Sequence, residues 1–210
     1  MSVAENPLTG AMRKSMANFT TYRLNGMNIV RSKAFKIKDP MSDKQLRMRA
    51  RMTLMAKMYK KFTPIIALGF PERDVRKSPQ NMFVSVNFTT AFVMEDETPV
   101  ISYPLMLLAK GSLPCVTITE AGIDAEGIRI NYDAGALCPK VEASNEIIAC
   151  AMLQTGGLLM TRQLIGIVPI GTIHLTYPSL QAEQVACCYV FIRSNDGMKT
   201  SDSVYVEVNG

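Results

Sequence analysis

Apolar residues between positions 48 and 66 recur at Met48, Met52, Met55, Tyr59, Phe62 and Ile66, steps of four and three that form one stripe of an α-helix. Ser42 followed three residues later by Gln45 has the form of a capping box at its start. Pro64 lacks an N–H and is expected to kink or end the helix, with Gly69 closing it. Upstream, two β-prone runs near 19–24 and 27–37 flank Asn25-Gly26, the pair that best suits a two-residue hairpin turn. Asp39-Pro40 then breaks the chain. Residues 1–18 are small and polar and predict an extended arm that orders only against a partner.

Beyond a loop at "PERDVRKSPQ", the stretch "SPQNMFVSVNFTTAFV" fits two patterns. Ser78-Pro79 suits an N-cap and first helical position, whereas Val84, Val86, Phe88 and Thr90 alternate as in a strand. The cap favours a helix. From Pro99 the chain turns to short β-type runs: "VISYPLMLLAKG", "CVTITEAG", "GIRINYDAG", "NEIIACAML", "GTIHLTYP", "QVACCYVFIR" and "DSVYVEV". Turn residues at Asp124–Gly127, Gly156-Gly157 and Asn195-Asp196-Gly197 punctuate them. The spacing predicts an antiparallel β-sandwich of immunoglobulin-like size. The expected fold class is therefore α+β: an arm over 1–18, a basic hairpin-plus-helix region over 19–98, and an immunoglobulin-like β-sandwich over 99–210.

Charge sharpens that division. Residues 1–78 hold 17 Lys and Arg against 5 Asp and Glu, a net of +12, while residues 79–210 hold 6 against 13, a net of −7. The stretch 41–66 alone carries seven basic residues and one acid. A helix that needs only solubility mixes both signs to gain i,i+4 pairs, so this deficit of acid points to a functional basic surface. Lys44, Arg47 and Arg51 are expected to line a second face of the helix, away from the apolar stripe. Arg13, Lys14, Arg31 and Lys33 extend the basic region toward the N-terminus.

Other chemistry is sparse. His174, the single histidine, is expected on a strand with no acid beside it, which leaves a Ser-His or Cys-His mechanism without an orienting group. No H-E-x-x-H, C-x-x-C, G-x-G-x-x-G or Walker loop occurs. Glu95-Asp96-Glu97 and Asp124–Gly127 have the character of solvated turns rather than cation loops, so no metal, cofactor or catalytic residue is expected. Five cysteines without repeated spacing fit reduced, buried thiols, and Cys187-Cys188 on a strand should point to opposite faces. The first residues lack the apolar core of a secretory signal, and no run is long enough to span a membrane.

The layout "NGMNIVRSKAFKIKDPMSDKQLRMRARMTLMAKMYKKFTPIIALGF", then "SPQNMFVSVN", "ISYPLMLLAKGSLP" and "YVFIRSNDGMKTSDSVYV", resembles a domain-of-unknown-function family of Bacteroidota genomes and phage-related sequences. The residues that carry the resemblance are Gly26, Val30, Arg31 and Ser32 in the hairpin, and Ser42 or Lys44, Gln45 and Arg49 in the helix. Ser78 and Asn81, Tyr103, Gly111 and Leu113, and Ser201, Ser203 and Tyr205 complete it. The resemblance favours the helical reading of "SPQNMFVSVN". Such proteins carry a Trp in the middle strand where this chain has "RINYDAG", which implies different packing there.

The resemblance implies no reaction, and its phage-related members imply a virion part. The expected function is a non-enzymatic structural component of a tailed-phage virion, assembled in the host bacterial cytoplasm. The basic region would anchor it to capsid, portal or tail proteins, with the sandwich displayed and the protein itself homo-oligomeric. The alternative is a cytoplasmic nucleic-acid-binding protein that uses the same basic residues on phosphates.

Overall fold

The computed structural model describes residues 2–3, 14–16, 18–24, 26–33, 41–74, 76–95, 98–133, 144–166 and 170–208. The chain divides into two units, Met1–Ser42 and Asp43–Gly210. The first is an antiparallel sheet of β1 (Ser2–Val3), β2 (Lys14–Met16), β3 (Phe19–Leu24) and β4 (Met27–Ser32), in the order β1-β4-β3-β2. Its central hairpin follows from one residue: Gly26 sits at φ +82°, which a residue with a Cβ resists, and Leu24 pairs with Met27 across the turn. Within the segment expected to extend as an arm, β1 pairs with β4 and β2 with β3. β4 ends at Ser32, and residues 34–40 lie outside the described residues.

The second unit begins with α1 (Asp43–Gly69), a loop, and α2 (Pro79–Asn87). Ser78 caps α2 by accepting the Asn81 N–H at 3.1 Å, and Pro79 opens the helix as the sequence suggests. The strand-like alternation through Thr90 belongs instead to a short helix followed by a hairpin of β5 (Phe92–Glu95) and β6 (Thr98–Ile101). The "SYPLMLLAK" run is not a strand. Tyr103–Leu105 forms a 3-10 turn around Pro104, and the chain then runs without a ladder to β7 (Thr117–Asp124).

Seven strands follow in two antiparallel sheets, as expected of a sandwich. β8 (Gly127–Asp133), β9 (Glu146–Leu153), β10 (Leu158–Leu164), β11 (Ile170–Thr176), β12 (Val185–Arg193) and β13 (Val204–Val206) complete the set. One sheet has the order β10-β9-β12-β13 and the other β11-β8-β7. β10 was not foreseen in the sequence.

Between the sheets, Ile147, Ala149 and Ala151 of β9 and Cys188, Val190 and Ile192 of β12 meet Ile128, Ile130 and Tyr132 of β8 and Ile173 and Leu175 of β11. The opposite face of the same two strands is buried as well. There Ile148, Cys150, Met152, Cys187, Tyr189 and Phe191 pack against Met55, Met58, Phe62, Ile65 and Ile66 of α1 and Phe83 of α2. Burial on both faces explains why "EIIACAML" and "VACCYVFIR" read as continuous apolar runs without alternation. It also sends Cys187 and Cys188 to opposite faces, as expected. The molecule's second unit is thus three layers deep: helices, a central sheet, and an outer sheet. Residue 98, where the change to β-type runs suggests a boundary, lies within this unit.

Within "RINYDAG", Tyr132 is buried in the core and lies against Gly171. A Cβ on Gly171 would come within 2.5 Å of the tyrosine Oη.

Candidate docking surface

α1 changes character along its length. Phe62 has non-helical backbone angles (φ −102°, ψ 15°), so the helix kinks there, two residues before Pro64. Pro64 deprives the preceding turn of a donor. Thr63 Oγ1 substitutes, donating to the carbonyl of Tyr59 at 2.8 Å and to that of Lys60 at 3.3 Å. The buried residues are Met55, Met58, Phe62, Ile65, Ile66 and Gly69. Met48 and Met52, placed on the buried stripe by the sequence reading, are 43% and 48% exposed.

The stripe that meets the core therefore runs through Met55, Met58, Phe62 and Ile65. Traced back by the same steps of three and four, it passes Arg51, Arg47 and Lys44. These three residues do not occupy a second face; they continue the buried one past the edge of the core. Every residue from Asp43 to Arg49 is exposed.

Arg51 marks the edge. Its guanidinium carbon lies 5.4 Å from the Phe92 ring centroid, within cation–π range, and Nη2 approaches Met94 Sδ at 3.7 Å. Its Nε is buried without a hydrogen-bond partner. Arg51 thus braces the β5–β6 hairpin against the helix. Arg47 and Lys44 lie about one and two turns beyond it, with Met48 and Met52 alongside and Met94 (42% exposed) on β5.

The other basic residues singled out in the sequence belong to the first unit. Lys14 is in β2, Arg31 is exposed in β4, and Lys33 is exposed with its N–H donating to the Asn18 carbonyl at 2.7 Å. Arg13 lies outside the described residues.

Of the residues that carry the family resemblance, Tyr103, Gly111, Leu113, Ser201, Ser203 and Tyr205 belong to one packing knot of the second unit. Ser203 Oγ accepts the Leu108 N–H, and Ser201 Oγ accepts the Ile192 N–H, both at 2.9 Å. Leu113 donates its N–H to the Thr200 carbonyl at 2.9 Å. Gly111 is required by close approach, since a Cβ there would stand 2.2 Å from the Thr200 carbonyl oxygen. Tyr205 packs edge-on to Tyr189, whose hydroxyl donates to the Tyr103 carbonyl at 2.8 Å.

Three further residues hold this knot and were not foreseen. Glu72 Oε1 accepts the N–H groups of Ser112 (2.9 Å) and Thr200 (3.1 Å). Burial raises its pKa, but these backbone donors and the nearby Lys199 outweigh that and hold the carboxyl below its ordinary value. Thr200 Oγ1 donates to the carbonyl of Gly69, where α1 ends, at 3.3 Å. Asn87, fully buried, accepts the Leu107 N–H at 2.7 Å and donates to the carbonyls of Leu107 (2.8 Å) and Phe83 (2.9 Å). No local signal reveals these roles, because the partners lie 20 to 128 residues away for the contacts of Asn87 with Leu107 and of Glu72 with Thr200.

His174 is on β11, as expected, but an acid does stand beside it. Asp124 Oδ2, at the end of β7, is 3.8 Å from Nδ1. The other oxygen of Asp124 accepts the N–H groups of Glu126 and Gly127, which is the turn-forming role the sequence suggests for this segment. The acidic triplet 95–97 lies at the β5–β6 turn; Asp96, Glu97 and the Glu95 side chain are outside the described residues. Among the described residues no group of three or more His, Cys, Asp or Glu is placed to hold a metal ion, and no helix is long and apolar enough to cross a membrane.

Cys115, Cys150, Cys187 and Cys188 carry free thiols, and Cys138 lies outside the described residues. Burial pushes the Cys187 and Cys188 thiols up to about 12 and raises the Cys150 thiol well above its ordinary value. Thiols held protonated in this way are poor nucleophiles.

Residues 11–207 match a family model described as a family of unknown function (DUF6266). No curated protein and no solved structure matches the chain.

Proposed function

Because the chain belongs to DUF6266, a family of unknown function, its membership brings no assigned reaction, and we propose from its own surface that it is a non-enzymatic structural protein. In this reading it anchors to an acidic protein surface through its basic region and displays the β-sandwich. The assembly would be a tailed-phage particle, to which the phage-related resemblance points, with capsid, portal or tail components as partners. One observation carries the reading: the core-facing stripe of α1 continues beyond the core as exposed Lys44 and Arg47. Surface of that kind, basic and flanked by methionine, suits a partner that supplies both acid and apolar contact. The engagement of Tyr103, Gly111, Ser201, Ser203 and Tyr205 in packing supports a structural rather than a catalytic reason for the family layout.

The test is co-sedimentation. A tagged chain expressed together with its neighbouring genes is expected to sediment with large particles at low salt. It should be released at about 1 M salt, where the Debye length falls to about 3 Å. A chain that stays in the soluble fraction, yet binds arbitrary DNA with a log–log salt slope near −0.9 per phosphate contact, would establish the nucleic-acid reading instead.

A further inference from the structure

We infer that the outer edge of β10 is a joint between two copies of this chain, the stretch 158–162 of one pairing antiparallel with the same stretch of the other. The inference is independent of the anchoring reading, and either can fail alone.

β10 has a neighbour on one side only. It pairs with β9 through all seven of its residues without a shift in register, and among the described residues no strand pairs with its other side. The ends of that ladder fix where its backbone groups point. Leu153 donates its N–H to the Gly157 carbonyl at 2.8 Å, and Ile165 donates its N–H to the Asn145 carbonyl at 2.9 Å. Alternation between these ends turns Leu159, Thr161 and Gln163 toward β9. It leaves the N–H and C=O groups of Leu158, Met160, Arg162 and Leu164 aimed outward.

Sheet edges are normally blunted by brevity, a bulge, proline or polar and charged side chains. The other edges of the sandwich show such devices. β13 has three residues, and β7 carries a bulge between Ile118 and Glu120. β11, phased by the bond from the Tyr177 N–H to the Glu126 carbonyl, has Ile170, Thr172, His174 and Thr176 at its outward positions, three of them polar. β10 has neither bulge nor proline, and Arg162 is its sole charge. Leu158 packs into the helix-side cluster and Leu159 into the inter-sheet cluster, so Met160 and Arg162 face the helical side. Both are exposed, Met160 by 41%. The helical layer thus covers β9 and β12 but stops short of β10.

A second copy fits this edge. Pairing Met160 with Met160 and Leu158 with Arg162 brings two exposed thioethers together at a two-fold axis and lays each Arg162 stem along a leucine. It also keeps the two guanidinium groups apart, their Cα atoms four residues or about 13 Å distant along the strand. Registers centred on Thr161 or Arg162 would set those charges diagonal or opposite. The pairing closes as well, because the joined sheet ends at the three-residue β13 on both sides and recruits no third copy. A foreign strand would find no charge pattern on β10 to select it. The joint stops at Arg162. It makes no use of the Leu164 end, where Glu146 stands opposite and which borders in sequence residues 134–143 and 167–169, outside the described residues.

The experiment uses the full chain. Sedimentation equilibrium from about 1 to 100 µM is expected to show monomer and dimer in exchange. Amide hydrogen exchange at the two ends of that range should find Leu158, Met160 and Arg162 protected only in the dimer, and Leu159 and Thr161 protected throughout. Met160→Pro removes the outward N–H at the axis without touching the bonds to β9, and should weaken the dimer about tenfold or more. Met160→Lys sets two charges face to face and should weaken it likewise, which decides the matter should proline disturb the strand.

A chain that remains monomeric at about 100 µM overturns the inference. So does a dimer that both substitutions leave intact, or an assembly that grows past two copies. Protection of the same amides only when a protein from a neighbouring gene is added also overturns it, giving the edge to a foreign strand.

Discussion

The two ends of α1 share one helical face and almost nothing else. Over residues 55–66 that face is apolar and reaches zero exposure at Met55, Phe62, Ile65 and Ile66. Over residues 44–51 it is Lys and Arg, and Arg51 touches Phe92 and Met94. Periodicity defines the face, and the chemistry written on it tells what the face meets. Where the central sheet lies underneath, the stripe is apolar; where the sheet ends, the stripe is charged.

Substitutions at the two ends should separate most widely in stability. Phe62→Ala removes a ring packed edge-on to Tyr189 at 6.2 Å, and by the usual cost of such cavities should destabilise the chain by about 3–5 kcal/mol in denaturant titration. A cost below 1 kcal/mol would mean that α1 is not part of this core. Asn87→Leu sharpens the same point from α2. It leaves the Leu107 amide and carbonyl and the Phe83 carbonyl without their partner, and should cost about 2–3 kcal/mol, since each buried group left unsatisfied costs about 1–3 kcal/mol.

Glu72 tests where α1 and its loop are tied to the C-terminal segment. Its folded pKa is depressed, so its contribution is present above the unfolded value of 4.5 and is lost as pH falls through the lower folded value. The difference in melting temperature between the native chain and Glu72→Gln should therefore be largest near neutral pH and close as pH drops below about 4.5. A gap that is constant with pH would reject the carboxylate's role. The smallest effect is expected at the exposed end: Lys44→Ala with Arg47→Ala should change stability by about 0.5 kcal/mol or less, the usual range of surface substitutions.

Labelling compares the central sheet with its surroundings. At pH 8 an alkylating reagent should leave Cys150, Cys187 and Cys188 unmodified in the folded chain and modify all three in denaturant. Rapid labelling of Cys187 in the native state would show that the helical layer opens readily over the sheet.

What the sequence disclosed, it disclosed locally. Gly26 and Ser78-Pro79 announced a turn and a helix start because a single backbone angle or a single cap decides them. The closing hairpin, the turn at Asp124 and the opposite orientations of Cys187 and Cys188 were legible for the same reason. The phase of α1 was misjudged because methionines at 48, 52, 55 and 58 support two overlapping stripes, and only the position of the sheet chooses between them. β10 was missed because five of its seven residues are polar or end up against solvent, and its pairing with β9 supplies the order that its own pattern lacks. Glu72, Asn87 and Thr200 carried no signal at all, since their partners become neighbours only in the folded chain.

The bond from Thr200 to Glu72 links residues 128 positions apart, and its meaning changes when the chain is considered in order of synthesis. α1 leaves the ribosome long before β12 and the 199–205 segment exist, so Phe62, Ile65 and Ile66 have no sheet to cover them while most of the protein is still being made. The helical layer can close only after the last strands arrive. A nascent chain of this kind spends its elongation with an apolar helix uncovered, which makes it a client for chaperones. A stop codon before β12 would release a product whose longest helix lacks Cys187, Tyr189 and Phe191 to lie on.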